Sequence, residues 1–371
     1  MKPLEIFAQV QYGLENIALK ELESLNITNY QRYKGGFEII GHWNTIYLLN
    51  NQGLCFSRIL IRLNRFIAKT FYDLEKEIKK IDFKPYLNNF NNICIRVNSI
   101  TSSLYHENAI KERIFKYISK QCNKTFNLVG EADTTDTQLI LLTAQHDQFI
   151  LSIDTSGQHL HKRGYLDYRA KAPLRETIAT AMFISLNKTD YDIIIDPFCG
   201  GGTIPIEISR FLSTINSDTF RSFNFMKWNT FNKDYYKKII KNTKKSINIK
   251  SEIYGYDISE ENINIAIRNL TLFNQVNTIK INFLKQDFFN LNDNFFDDYQ
   301  SPLIISNPPW GKRLNNIDFI RILKKLKVYE NHVEIVLIIP ECFLKLIKSY
   351  KTLFNIEAGN IIVSAIKINE I

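Results

Sequence analysis

The sequence predicts an α/β protein in two parts. Residues 1–160 read as an α+β unit, and residues 161–371 as a Rossmann-like, doubly wound parallel sheet that opens with a linker. Three observations carry this. At about 150 residues per domain, the length of 371 residues suits two domains or three. Before residue 155, alternating and helical apolar runs are mixed, with no sustained parallel pattern. After residue 175 the chain settles into strand, glycine-rich turn, helix and strand again.

In the front half, Leu4 to Val10 alternates as a strand does, and Leu14, Ile17, Ala18, Leu22 and Leu25 have helical spacing. Gly35-Gly36 opens a strand over Phe37 to Ile40. Ile93 to Val97 reads as a strand, Glu107 to Ser119 as a helix, and Gln138 to Leu142 and Phe149 to Ile153 as strands. The stretch TSGQHLHKRGYLDYRAKAPLRET, from residue 155, is polar and basic, which predicts a linker running into a helix from Leu174. Behind it come a strand over Tyr191 to Asp196, a helix over Ile204 to Leu212, a strand over Ile253 to Asp257 and a helix over Glu260 to Leu272. Thr278 to Leu284, Leu303 to Ser306 and Glu334 to Ile339 supply three more short apolar runs.

Composition removes several classes. With 45% apolar and 23% charged residues the chain is neither disordered nor collagenous nor a disulfide miniprotein. Its formal charge of +9 and pI near 9.1 suit an acidic partner such as nucleic acid. Yet 33 Lys stand against 14 Arg in a chain rich in Asn, Ile, Phe and Tyr, a bias that raises Lys with no partner at all. The charge is shared as +4 over residues 1–170 and +5 over residues 171–371, so it decides nothing by itself. The five cysteines are scattered without a C-x-x-C pair, which argues against a disulfide framework or a structural zinc. No metal site is expected. The N-terminus lacks a signal-like apolar stretch and no apolar run approaches a membrane span, so a cytoplasmic monomer without membrane contact is expected.

Four motifs carry the chemistry. Asp196-Pro197-Phe198-Cys199-Gly200-Gly201-Gly202-Thr203 lies where a strand ends and a helix begins, and its glycines let a ligand approach free backbone N–H groups. No Gly-Lys-Ser/Thr follows, so it is not a phosphate loop. The next strand ends at Asp257-Ile258, an acid placed to accept ribose hydroxyls. A third leads to Asp287-Phe288, where a carboxylate can accept from an adenine amine and a ring can cover the base. The fourth runs into Ser306-Asn307-Pro308-Pro309-Trp310. A base amine is a poor nucleophile because its lone pair is delocalised. The Asn307 side-chain carbonyl and the Pro308 backbone carbonyl can accept its N–H groups and aim that lone pair, with Pro309 stiffening the loop and Trp310 offering a stacking face. Strand order puts the four motifs at neighbouring carboxyl ends.

Taken together, these motifs resemble the class I S-adenosylmethionine-dependent amino methyltransferases. More closely, the chain resembles the THUMP-domain RNA guanine-N2 methyltransferases of the RlmL/YpsC type, over nearly its whole length. QYGLENIALKELESL, LIRLNRFIAKTFYDL, DTSGQHLHKRGY with APLRETIATA, DPFCGGGTIPIE, YGYDIS and SNPPWGKRL carry the likeness. It implies a ferredoxin-like segment and a THUMP RNA-binding domain over residues 1–160, then a Rossmann-like methyltransferase domain over residues 161–371. It also implies S-adenosylmethionine held by Asp196, Phe198, Gly200, Gly202 and Thr203 at the methionine part, with Arg175, Glu176 and Thr177 near its end. Asp257 and Ile258 would meet the ribose side, Asp287 and Phe288 the adenine, and Asn307, Pro308, Pro309 and Trp310 the target amine. The family usually carries Tyr where Trp310 stands, and Arg where Leu166 stands.

The expected activity is therefore methylation of an exocyclic base amine in structured RNA, guanine N2 of ribosomal RNA foremost. A transfer-RNA guanine-N2 enzyme, a DNA adenine-N6 enzyme and an inactive RNA-binding assembly factor remain alternatives. Cys199 is expected to pack behind its turn, since methyl transfer to an amine needs no covalent enzyme intermediate. His159 and His161 beside Lys162 and Arg163 suit either a phosphate contact or a solvated linker. Lys227 to Lys250 holds eight Lys against Asp234 alone, a basic patch expected on the rear domain, or else an amphipathic helix with Ile239 and Ile240 inward.

Overall fold

The computed structural model describes residues 3–132, 136–166, 174–213, 215–241, 251–274, 279–310 and 316–371. In chain order the front elements are β1 (Leu4–Val10), α1 (Glu15–Ser24), β2 (Tyr30–Tyr33), β3 (Gly36–Gly41), α2 (Trp43–Gln52), β4 (Phe56–Ile67), α3 (Phe71–Ile78), α4 (Lys84–Leu87), β5 (Asn92–Ile100), α5 (Glu107–Cys122), β6 (Asn127–Leu128), β7 (Thr137–Gln145) and β8 (Gln148–Asp154). There follow α6 (Glu176–Ile184), β9 (Ile193–Asp196), α7 (Thr203–Ser213), α8 (Lys233–Lys241), β10 (Glu252–Asp257), α9 (Glu260–Phe273), β11 (Ile281–Lys285), β12 (Pro302–Ser306), α10 (Asn316–Lys327), β13 (Glu334–Pro340), β14 (Ser349–Ala358) and β15 (Ile361–Glu370). They form two units: Met1–Val10, Leu22–Leu160 and Asn216–Thr243 in one, Gln11–Glu21, His161–Ile215 and Lys244–Ile371 in the other. The chain crosses between them more often than a single cut at residue 160 allows.

The first unit is built on an eight-stranded sheet of order β2-β3-β1-β4-β8-β7-β5-β6. Most pairs are antiparallel, and β5 runs parallel to both β6 and β7. Its alternation is legible in β1, where Ile6, Ala8 and Val10 are buried. The stretch after β8, expected as a solvated linker, is instead buried through Ser156. Its polar groups satisfy one another and the sheet. Arg58 donates to Asp154 at 2.6 Å, Thr155 Oγ1 to the Ile59 carbonyl at 2.7 Å and Ser156 Oγ to Asn50 Oδ1 at 2.7 Å.

The described part of the lysine-rich stretch also belongs to this unit rather than to the rear one, because its aromatics anchor it there. Trp228 Nε1 donates to Gln138 Oε1 at 2.9 Å, and the Tyr236 ring lies 5.1 Å from Tyr47 while its hydroxyl donates to Asp218 at 2.8 Å. Helix α8 buries Tyr236 and Ile240, half-buries Ile239 and exposes Lys233, Lys237, Lys238 and Lys241. Lys244, Lys245 and Lys250 lie outside the described residues.

The second unit holds a seven-stranded sheet of order β11-β10-β9-β12-β13-β15-β14. Strands β9 to β13 are parallel; β15 inserts antiparallel between β13 and β14. The central parallel strands β9 and β12 are apolar over Ile193–Ile195 and Leu303–Ile305, because helices cover such sheets on both faces. Order reverses about β9, the switch point where these sheets bind ligands. Behind it, Glu207 of α7 is fully buried and accepts from Arg163 Nη2 at 3.1 Å, from Thr180 Oγ1 at 2.6 Å and from the Tyr165 hydroxyl, with Arg210 at 3.9 Å. Burial pushes the Glu207 carboxyl up, but the two guanidiniums overcome it and hold it below its ordinary range.

Candidate active site

A cavity of about 750 Å³ opens at the carboxyl ends of β9, β10, β11 and β12. Asp196, Phe198, Gly200, Thr203, Asp257, Ile258, Asp287, Phe288, Asn307, Pro308, Pro309 and Trp310, all singled out from the sequence, line it together.

Asp196 ends β9 and is 2% exposed. Its Oδ1 accepts from Ser306 Oγ at 2.5 Å and from the Phe198 N–H at 3.1 Å. Burial pushes its carboxyl up to about 7, the two hydrogen bonds pull it down, and nearby Asp257 adds to the rise. No described cation pairs with it. After Asp196 the chain turns with Gly200 at φ 53° and Gly202 at φ 83°, conformations that favour glycine. Gly202 is not a wall residue. A Cβ there would lie 2.6 Å from Phe283 Cζ, so this glycine serves close packing of α7 on the sheet. Cys199 is buried and its thiol is held well above its ordinary range, by burial first and then by Asp196 and Asp257. It is an inert packing residue.

Asp257 ends β10 and stitches two loops. Its Oδ2 accepts from the Gly200 N–H and from Asn262 Nδ2, both at 3.1 Å, and its Oδ1 from the Ser259 N–H at 2.8 Å. A carboxylate offers about four acceptor positions, so the three bonds orient it and leave capacity for a hydroxyl. Ile258, 70% exposed, stands beside it. Asp287 caps the short turn after β11 by accepting from the Phe289 N–H at 3.0 Å. Phe288 is buried in the core with Phe198 edge-on at 5.4 Å, and the half-buried Phe289 also reaches the wall, its ring under the Arg321 guanidinium at 4.0 Å.

After β12, Asn307 and Trp310 are half-buried and Pro308 is buried. The Trp310 ring packs on the core cluster that includes Phe288 and Phe319, and its Nε1 donates to Asn307 Oδ1 at 2.8 Å. The indole that the sequence offers as a free stacking face is thus tied at its polar edge.

Arg175, Glu176 and Thr177 are not on the wall; Leu174 is the residue of that segment that reaches it. Arg175 is exposed and donates to Gln11 at 3.5 Å, whereas Glu176 and Thr177 are buried in the first turn of α6. Sequence reasoning misses the parts played by Ser306, Ser259, Asn262, Phe289 and Arg321. Asn262 carries a usable signal, since it falls five residues after a strand-end acid, in the first turn of the next helix.

S-adenosylmethionine carries a sulfonium and an ammonium on an adenosine. Three strand-end carboxylates, a glycine turn and aromatic walls fit that charge and shape. Fold and site define a methyltransferase of the S-adenosylmethionine class. Residues 163–328, a little under half of the chain, match the family described as UPF0020, RMKL-like methyltransferase domain, and S-adenosylmethionine is the cofactor. The ribosomal RNA large subunit methyltransferase K/L of Buchnera aphidicola is 28% identical over 329 residues, covering 83% of this chain and 45% of that protein. The chain therefore spans about half the length of that relative. The putative RNA methyltransferase YpsC of Bacillus subtilis is 27% identical over 85% of this chain and 81% of its own length. Among solved structures, SMU.472, a putative methyltransferase complexed with SAH, superposes with a TM-score of 0.80 at 22% identity, over 100% of this chain and 99% of that one, which shows the shared fold.

Proposed function

We propose that this protein methylates an exocyclic base amine in structured RNA, with guanine N2 of ribosomal RNA as the target. The observation that carries the proposal is that Asn307-Pro308-Pro309-Trp310 meets Asp196, Asp257 and Asp287 on one cavity. RNA as the substrate class is supported by the names of the relatives above.

When bound, S-adenosylmethionine supplies an electrophilic methyl group. In this reading Asp257 takes the ribose hydroxyls with its remaining acceptor capacity, and Asp287 with Phe288 and Ile258 takes the adenine. Asp196, Phe198, Gly200 and Thr203 face the methionine part. Asn307 Oδ1 and the Pro308 carbonyl accept the target amine's N–H groups, which holds the nitrogen and aims its lone pair for in-line displacement. Asn307 is an acceptor and not a base, so the amine proton leaves to water after transfer. The THUMP assignment of residues 1–160 and its role in capturing RNA are part of the same proposal.

The test is to incubate the full chain with methyl-labelled S-adenosylmethionine and unmodified ribosomal or transfer RNA, then identify the labelled nucleoside by mass spectrometry. N2-methylguanosine from ribosomal RNA is expected. N6-methyladenosine, or label confined to transfer RNA, would replace the target named here. Cofactor binding without any label transfer would overturn the enzymatic reading.

A further inference from the structure

We propose that Trp310 is a positioning residue whose indole N–H selects the orientation of the Asn307 amide. The inference rests on the proposed role of Asn307 as acceptor of the target amine.

An asparagine amide presents an acceptor oxygen on one side and a donor NH2 on the other, and rotation by about 180° about its terminal bond exchanges them at little torsional cost. Only one of the two orientations suits an amine that must be held through its own N–H groups. If the NH2 faced the amine, two donors would oppose each other. Something must therefore choose, and the loop contains a group that can. Indole Nε1–H is a donor with no acceptor capacity, so it pairs with the oxygen and never with the NH2. It does so at 2.8 Å, across Asn307-Pro308-Pro309-Trp310.

Both ends of this bond are fixed. The two prolines set φ through the middle of the loop, and the Trp310 ring is packed against the core cluster of the rear sheet. Neither Pro308 nor Pro309 carries an N–H that could compete for the Asn307 oxygen. The carbonyl oxygen has a second lone pair in the amide plane, about 120° from the first. With one lone pair taken by the indole, the other is left for the amine, and Asn307 and Trp310 both line the cavity where it would sit. Stacking is thus not what Trp310 contributes through its polar edge; that edge orders Asn307.

Two measurements on the full chain test this. The protein has three tryptophans, so indole N–H correlations in a ¹⁵N spectrum give three resonances. Asn307→Ala should shift one of them and speed its exchange with water, while those of Trp43 and Trp228 stay put. If the Trp310 resonance does not move, the hydrogen bond is absent in solution and the inference falls. Trp310→Phe keeps one aromatic ring and removes the N–H together with the five-membered ring that carries it. With the RNA that the wild type methylates, it should lower kcat about ten-fold, the worth of one ordered hydrogen bond, with KM for RNA and affinity for S-adenosylhomocysteine near wild type. Combined with Asn307→Ala it should cost no more than Asn307→Ala alone. Additive losses, or a loss wholly in KM, would return Trp310 to stacking. If the wild type methylates no RNA at all, the proposed function fails and Asn307 has no amine to orient; the spectrum then shows which of the two failed.

Discussion

Asp196→Asn should make the protein more stable and less able to bind its cofactor, with the gain in stability confined to neutral and alkaline pH. The amide is nearly isosteric, and its oxygen can still accept from Ser306 Oγ and the Phe198 N–H. What changes is the charge. A carboxyl at about 7 when folded, against its ordinary 3.8 when unfolded, is held some 3 pH units too high. At roughly 1.4 kcal/mol per unit, ionising it in the folded protein costs about 4 kcal/mol. Because the folded value is raised, the wild-type contribution is fully present below 3.8 and is lost as pH rises through 7. The variant's advantage should be about 4 kcal/mol at pH 8, about half that near pH 5.5, and nil below pH 4. For a unit of this size that is on the order of 10 °C in melting temperature at pH 8. Thermal melts at the three pH values, with calorimetric titration of S-adenosylhomocysteine, give both readings. An advantage that does not shrink on acidification, or a variant less stable at pH 8, would refute the assignment of the cost to a buried charge.

Glu207→Gln should destabilise the rear unit by about 3–5 kcal/mol in urea unfolding, since it leaves Arg163 and Arg210 buried against a neutral group. Gly202→Ala combines a left-handed backbone with a Cβ 2.6 Å from Phe283, and should cost about 2–5 kcal/mol by the same measurement. Replacing Lys233, Lys237, Lys238 and Lys241 with Gln should flatten the salt dependence of RNA binding, by up to about 0.9 in log–log slope for each phosphate no longer neutralised. An unchanged slope would make that face of α8 merely solvated.

How much of this can be read from the chain depends on the range of the interactions. β1, β8, α7 and α9 are legible almost to the residue, and α5 to within three residues of its end, because each carries its own apolar period; β13 shows only as a short apolar run. The cavity is legible for a related reason. In a parallel sheet, residues that end successive strands are brought to one edge by topology alone, so Asp196, Asp257, Asp287 and Asn307 can be grouped before any contact is known. What escapes is decided by partners far away in sequence. The stretch 155–165 is polar, and nothing local says that Thr155 meets Ile59 or that Tyr165 meets Glu207. α8 reads as a lysine helix, but its unit is set by Tyr236 and Tyr47. β14 and β15 lack a clean alternation over their ten residues each, so neither reads as a strand.

The bond between Ser306 and Asp196 gives the cost of the buried acid a use. Asp196 closes the strand that leads to the glycine turn, while Ser306 is the residue before Asn307, so one hydrogen bond of 2.5 Å joins the two loops at the ends of the paired strands β9 and β12. Ser306 can donate to a carboxylate, but the bond is weaker once that carboxyl is protonated and one oxygen carries its own hydrogen. The charge that destabilises the fold is thus also the charge that ties the Asn307 loop to the glycine turn. A bound cation would stabilise that charge directly and lower the Asp196 pKa. Cofactor binding should therefore be accompanied by proton release near pH 7, measurable as a dependence of the calorimetric enthalpy on buffer ionisation heat. The release should vanish in Asp196→Asn. In Ser306→Ala, where the carboxyl loses a donor and starts from a higher value, it should move to higher pH. Proton release that persists undiminished in Asp196→Asn would mean that another group titrates, and that the link between these loops is only structural.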